Sequence, residues 1–104
     1  MPENRFILDS GVEDELWEIW DFIAADNPDA ATRVVEAAYQ TFKFLAANPN
    51  VGRPRKFRDP LLRGVRSWRV SDFENYLVFY RSRPDCVQIL HVYHGARDIE
   101  ALLE

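Results

Sequence analysis

Apolar residues recur at helical spacing in two consecutive stretches of the N-terminal half of the chain. In the first stretch, the residues that fall on one face of a helix are Val12, Leu16, Ile19, Trp20 and Ile23. Ser10 and Glu13 have the spacing of a capping box, so we predict that this helix starts at Ser10. Trp17 and Phe22 lie off the centre of the apolar face.

The second stretch begins after a polar break at residues 26–29. Asn27 is a good N-cap, and Pro28 suits the first position of a helix. Helical spacing then continues to about Ala47 through Ala31, Val34, Val35, Ala38, Phe42 and Leu45. The polar run at residues 48–50 would end this helix. Two amphipathic helices joined by so short a turn are typical of an antiparallel helical hairpin.

The remaining pattern is typical of strands and turns. A short strand, Arg5–Leu8, is predicted before the first helix. In the C-terminal half, the predicted strands are residues 65–70, 75–81 and 86–93. Turns are predicted at residues 71–74 and 82–85, and a loop at residues 51–56.

These elements, in this order, predict a two-layer α+β fold. The N-terminal strand and the three later strands would form a small, largely antiparallel sheet. The helical hairpin would pack on one face of that sheet, and residues 98–104 would form a short last helix or tail. A chain of 104 residues suits one domain, which we place at residues 1–104.

Composition excludes several classes of protein. No apolar run approaches the length that spans a membrane, and we see no secretory signal at the N-terminus. The single cysteine, Cys86, cannot form an internal disulfide and is expected to be a small buried hydrophobe in a strand. Cysteine and histidine spacing typical of zinc sites is absent. We therefore expect a cytoplasmic protein with no metal and no cofactor.

Charge is unevenly distributed along the chain. Residues 1–52 contain ten acidic and three basic residues, whereas residues 53–104 contain seven acidic and ten basic ones. The segment 53–69 alone contains seven basic residues and one acid, Asp59. A dipolar molecule of this kind can steer its basic side toward a polyanion or an acidic protein. The alternative is a solvated arginine-rich loop without a binding role.

Six segments, spread over nearly the whole chain, resemble the ParE branch of the ParE/RelE superfamily of bacterial toxins. In chain order they are residues 18–23, 26–31, 48–54, 64–68, 76–81 and 91–98. The more specific ones contain Gly52-Arg53-Pro54 and the final run His94-Gly95-Ala96-Arg97-Asp98. The resemblance implies a toxin of a type II toxin–antitoxin pair, neutralised by a cognate ParD-like antitoxin. It also implies the fold of that superfamily, but fold alone does not fix the activity.

Two activities are known in this superfamily, and they require different chemistry. ParE-type members poison DNA gyrase by binding, whereas RelE-type members cut mRNA on the ribosome. Cleavage of RNA needs a base, an acid and cations that stabilise the phosphate. If the chain is a nuclease, His94, Tyr93 and Arg81 are the candidate catalytic residues; otherwise no catalytic residue is expected. A third alternative is a relative that is not toxic and binds only an antitoxin, or DNA as part of a repressor complex.

Binding residues follow from the charge pattern and from the resemblance. The residues expected to contact the target are Arg53, Arg55, Arg66, Arg69 and Arg97. Trp17, Trp20 and Phe22 point in different directions around the first helix, so one sheet cannot bury all three. We expect them to line an apolar groove that an antitoxin helix fills, the alternative being partial burial under the second helix.

Overall fold

A computed structural model of the chain describes residues 5–95 and 103. The elements are β1 (Phe6–Leu8), α1 (Val12–Ala24), α2 (Pro28–Ala47), β2 (Arg53–Pro54), a 3-10 turn (Pro60–Leu62), β3 (Arg66–Val70), β4 (Phe73–Ser82) and β5 (Val87–His94). The strands form one sheet in the order β1-β5-β4-β3-β2, in which only the β1–β5 pair is parallel among the described strands. The predicted α+β fold is confirmed. The last helix or tail predicted at residues 98–104 lies outside the described residues, apart from Leu103.

The sheet has an apolar cluster on each face. On one face, α1 and α2 pack on the sheet, and the largest buried side chains there include Phe42, Leu45, Tyr80 and Ile89. On the opposite face, Val65, Phe79, Leu90 and Tyr93 form a second cluster. Adjacent residues of β4 alternate between the two clusters, as the pleat of a strand requires. Within the described residues, no helix is long and apolar enough to cross a membrane.

The predicted boundaries of the second helix are confirmed, and the predicted start of the first is wrong. The Asn27 side chain accepts a hydrogen bond from the Ala30 N–H at 3.0 Å, with Pro28 as the first helical residue. α1, in contrast, has Gly11 as its N-cap, and no side chain caps it. Gly11 adopts a φ of 95°, so the chain turns sharply after β1 and Ser10 remains outside the helix.

Smaller corrections concern the loops. Part of the loop predicted at residues 51–56 is the two-residue edge strand β2, which pairs with β3. The turn is shorter than the predicted 71–74, because Asp72 adopts a φ of 66° and β4 already begins at Phe73. Cys86 lies in the bend before β5 and is half-buried, since the strand begins one residue later than predicted.

The Tyr80 side chain ties the loop after α2 to the sheet. Its hydroxyl donates to the Pro49 carbonyl at 2.9 Å and accepts from the Gly52 N–H at 2.8 Å. The Arg66 guanidinium donates to the Gly52 carbonyl at 2.8 Å. Tyr80 is fully buried, so these bonds satisfy polar groups that have no access to water. This arrangement fixes the point where β2 and the basic segment after it begin.

We expect the stability of the protein to fall at alkaline pH because of Tyr80. Burial raises the pKa of its phenol above the ordinary value; the Gly52 N–H and the Arg66 charge oppose this with smaller effects. A group whose pKa is higher in the folded state than in the unfolded state stabilises the fold fully below pH about 10. This stability is lost as pH rises through the folded pKa. Burial also raises the pKa of Tyr76. Urea unfolding of wild type and Tyr80→Phe at pH 8 and pH 11 would isolate the Tyr80 contribution, and an equal loss in both proteins would contradict it.

Candidate functional site

An apolar groove runs between α1 and α2 on the surface away from the sheet. It has a volume of about 400 Å³, and its lining consists of Glu13, Leu16, Trp17, Trp20, Thr32, Val35, Glu36 and Tyr39. On the α1 side the lining includes the bulky Trp17 and Trp20, and on the α2 side it includes the β-branched Thr32 and Val35 together with Tyr39. The carboxylates of Glu13 and Glu36 stand at an otherwise apolar surface. Such a groove suits an amphipathic helix that carries apolar anchors and basic flanking residues.

Two of the predicted antitoxin-binding residues form one wall of this groove. The Trp17 and Trp20 rings pack edge to face, with centroids 6.0 Å apart. The Trp20 indole N–H donates to the Thr32 hydroxyl at 3.3 Å, which fixes that ring against α2. Among the described residues, the Trp17 indole nitrogen has no hydrogen-bond partner, and Trp17 remains 62% exposed. A large aromatic surface is therefore already positioned for a partner to cover.

The third predicted residue, Phe22, lies outside the groove. Its side chain is 77% exposed and borders a second cavity, of about 330 Å³, between α1 and the end of β5. That cavity also contacts Ile19, Tyr76 and His94. The structure thus brings Trp17 and Trp20 together and separates Phe22 from them.

The residues predicted to contact the target do not share one surface. Arg55 places its guanidinium 5.5 Å from the centre of the Phe79 ring, on the face of the second cluster. Arg66 donates to the Gly52 carbonyl, beside Tyr80. Arg69 covers the Trp68 ring at 4.7 Å, and its Nε lies 3.7 Å from a Glu74 carboxylate oxygen.

Of the two remaining residues of that set, the structure describes only Arg53. Arg53 is exposed on β2, where it pairs in register with Ser67. Arg97 lies outside the described residues, as does Asp98. Arg53 is therefore accessible to a partner on the outer edge of the sheet.

The candidate nuclease residues are not assembled into one site. His94 pairs in register with Tyr76, and Arg81 pairs with Gln88, at the other end of the β4–β5 hairpin. Tyr76 and Arg81 are five positions apart on β4, a distance of about 17 Å along a strand. The Arg81 guanidinium also donates to the Leu61 carbonyl at 2.6 Å, so it fixes the loop before β3.

Tyr93 and His94 are adjacent on β5 and point to opposite faces of the sheet. Tyr93 packs in the second cluster, with its ring centroid 6.1 Å from that of Phe79. The His94 ring packs edge to face on Tyr76 at 5.2 Å. Beyond it, the Gly95 N–H donates to the Asn75 carbonyl. These contacts help to hold the end of the sheet.

A polar cluster that sequence reasoning did not find joins α1 to β5. The Glu15 carboxylate accepts from the Val92 N–H at 3.0 Å, and its other oxygen lies 2.7 Å from His91 Nδ1. The Tyr93 hydroxyl lies 2.8 Å from the same nitrogen. Because a carboxylate only accepts hydrogen bonds, the proton on His91 belongs on Nδ1, where it donates to Glu15. Glu15 is 76 residues away from His91 in sequence, so the spacing of residues gave no signal of this contact.

Comparison with known proteins agrees with this fold and with the resemblance in sequence. A search of curated protein sequences finds no match. Among solved structures, a "Chromosomal ParDE TA system from P. aeruginosa" has a TM-score of 0.68 and 21% sequence identity. The similarity covers 86% of this chain and 94% of that one, and it shows the same fold. The family model described as "ParE toxin of type II toxin-antitoxin system, parDE" matches residues 6–99. The chain therefore belongs to the ParE toxins of type II toxin–antitoxin systems.

Proposed function

We propose that this toxin arrests growth by binding DNA gyrase and blocking it, as a binding inhibitor rather than as a catalyst. Membership of the ParE family carries the proposal, because ParE-type toxins are known as gyrase poisons. The separation of Arg81 from His94 supports it, since a nuclease needs its acid, base and cations around one phosphate. The activity requires no cofactor or metal, and it places the protein in the cytoplasm, where gyrase acts.

The groove between α1 and α2 is proposed as the site where a cognate, ParD-like antitoxin neutralises the toxin. Trp17 and Trp20 supply a preformed aromatic wall, and the exposed Phe22 extends the apolar surface toward β5. Glu13 and Glu36 would face basic residues of the antitoxin helix. The residues of the groove lie in the acidic half of the sequence, whereas the residues proposed to meet the target lie in the basic half.

We propose that target contact involves Arg53, Arg55, Arg66, Arg69 and Arg97, which lie in the basic half of the sequence. Arg53 and Arg69 are exposed and can reach a partner directly. Arg66 is held by the Gly52 carbonyl, so its contribution would include fixing the loop that carries Arg53 and Arg55. Charges at the rim of such an interface mainly raise the association rate and its dependence on salt.

The proposal predicts that purified, antitoxin-free toxin inhibits gyrase at stoichiometric amounts. Gyrase would be incubated with ATP, plasmid DNA and toxin, and scored for lost supercoiling and for trapped cleaved DNA. The variant His94→Ala should inhibit as strongly as wild type, because His94 packs on Tyr76 and performs no chemistry in this mechanism. Thermal melting of the variant would show that it is folded.

The alternative activities predict different results when the gyrase assay is combined with tests of growth arrest and antitoxin binding. Growth arrest without gyrase inhibition, abolished by His94→Ala, would overturn the proposal in favour of an mRNA endonuclease acting on the ribosome. A protein that binds its antitoxin but neither arrests growth nor inhibits gyrase would be a non-toxic relative.

A further inference from the structure

The segment between β2 and β3 forms a cavity whose lining includes four cations. We call residues 55–64 the basic loop. Its cavity has a volume of about 380 Å³, and the charged residues that line it are Arg55, Lys56, Arg58, Asp59 and Arg63. Four cations and one carboxylate give this small surface a charge of +3, whereas the whole chain has a net charge of −4. So strong a local excess attracts anions against the field of the rest of the molecule.

The basic loop has more cations than its one acid, Asp59, can neutralise. Among the described residues, the ion pairs of Arg5 with Asp85 and of Arg69 with Glu74 lie outside the loop. The one acid of the loop, Asp59, accepts a hydrogen bond from the Leu61 N–H at 2.9 Å and so caps the 3-10 turn. Lys56, Arg58 and Arg63 are exposed, so a ligand can reach all three.

The protein holds this loop in a defined shape. At its start, the Arg55 N–H donates to the Val65 carbonyl at 2.9 Å. In its middle, the Arg81 guanidinium donates to the Leu61 carbonyl. The side chains of Phe57 and Leu62 pack on the second cluster. Because the loop is fixed before a ligand arrives, binding costs little ordering of the backbone.

We propose that the basic loop binds the backbone phosphates of nucleic acid. Arginine suits this ligand because its planar guanidinium donates two parallel hydrogen bonds to one phosphate. Among the described residues, Phe57 is the one aromatic residue that lines the cavity, and it is half-buried, so they present no exposed ring for stacking on unpaired bases. The loop therefore recognises charge rather than sequence, and duplex DNA is the expected form. For the identity of the nucleic acid the inference rests on the proposed function, since gyrase holds DNA while the toxin acts.

The test measures binding to DNA without gyrase. A fluorescent 20-base-pair duplex would be titrated with antitoxin-free toxin, and its anisotropy followed at 50 and 200 mM salt. With about three phosphates neutralised, the affinity of wild type should fall about 40-fold between these conditions. Arg58→Gln/Arg63→Gln should bind at least ten times more weakly at 50 mM salt, and its affinity should fall only about 4-fold.

A matched variant controls for net charge. Arg33→Gln/Lys43→Gln removes the same charge from exposed positions of α2, so it should bind DNA like wild type. No binding by wild type at 50 mM salt, or equal weakening by both double variants, would overturn the inference. Binding to a polyglutamate peptide in place of DNA would also overturn it, because the partner would then be an acidic protein.

Two further measurements separate this inference from the proposed function. A 20-base-pair RNA duplex tests the source of the phosphates, and exclusive binding of RNA would assign the loop to RNA. If the toxin binds DNA through Arg58 and Arg63 but does not inhibit gyrase, DNA binding by the basic loop is supported and the proposed function is contradicted. If wild type inhibits gyrase but does not bind DNA, the proposed function is supported and DNA binding by the basic loop is contradicted.

Discussion

Replacing Trp17 by alanine is expected to weaken antitoxin binding by about 2–4 kcal/mol, a factor of about 30 to 1,000. The Trp17 ring is 62% exposed in the free toxin and stands on the wall of an apolar groove between two helices. Trp20, fixed by its hydrogen bond to Thr32, supports it from the side. A partner helix that fills the groove would cover this ring, and a tryptophan covered at the centre of an interface commonly contributes the largest share of affinity.

Calorimetric titration of the toxin with its cognate antitoxin would measure this loss. The matched control is Leu61→Ala, which removes an apolar side chain that is 77% exposed on the opposite side of the molecule. The control should change neither affinity nor stability. Equal affinities of wild type and Trp17→Ala would show that the antitoxin binds elsewhere. Phe22→Ala reports how far the antitoxin extends, since Phe22 borders the separate cavity beside β5.

Gly52→Ala is expected to lower the free energy of unfolding by about 1–3 kcal/mol or more. A Cβ at this position would lie within 2.9 Å of three atoms of the Tyr80 side chain, and Tyr80 is fully buried and cannot retreat. Tyr80→Phe should itself cost about 1–3 kcal/mol, because the Pro49 carbonyl and the Gly52 N–H lose their hydrogen-bond partner.

The two changes share one contact, so their costs should not add. Tyr80→Phe removes the hydroxyl that the new methyl group would meet, and the double variant should therefore be less destabilised than the sum by about 0.5–3 kcal/mol. Gly11→Ala is the control, because its Cβ meets nothing within 4 Å and its cost comes from a φ of 95° alone. Urea unfolding of all variants provides the measurement. Strict additivity of Gly52→Ala and Tyr80→Phe would contradict the clash.

Local chemistry was enough to predict most of the fold. The helix from Pro28 to Ala47 was predicted at both ends, because Asn27, Pro28 and the polar run after Ala47 act through neighbouring residues. The start of α1 was missed since Ser10 had the chemistry of a cap, but the chain entering from β1 needed a left-handed residue, which Gly11 supplies. The strand β2 was missed because two residues form it only by pairing with β3, which is distant in sequence.

The candidate site was predictable only in part. Helical periodicity indicated that Trp17 and Phe22 lie off the buried face of α1, and both are exposed. Periodicity did not show that Phe22 and Trp17 border different cavities, because that depends on where α2 and β5 lie. It also did not show the register that places Arg81 and His94 at opposite ends of a hairpin. Contacts of this kind arise from tertiary packing rather than from spacing.

The carboxylate of Glu15 has a consequence for the solubility of the free toxin. Among the described strands, β1 pairs only with residues 87–89 of β5, and the later part of that edge faces no strand. Open edges of this kind recruit strands from other molecules and begin aggregation. Here an acidic side chain already occupies the Val92 N–H, and the register shift opposite Phe79 and Tyr80 distorts the edge further. A second molecule could extend the sheet at Val92 only by displacing the Glu15 carboxylate. This contact therefore opposes polymerisation of the toxin in the absence of antitoxin.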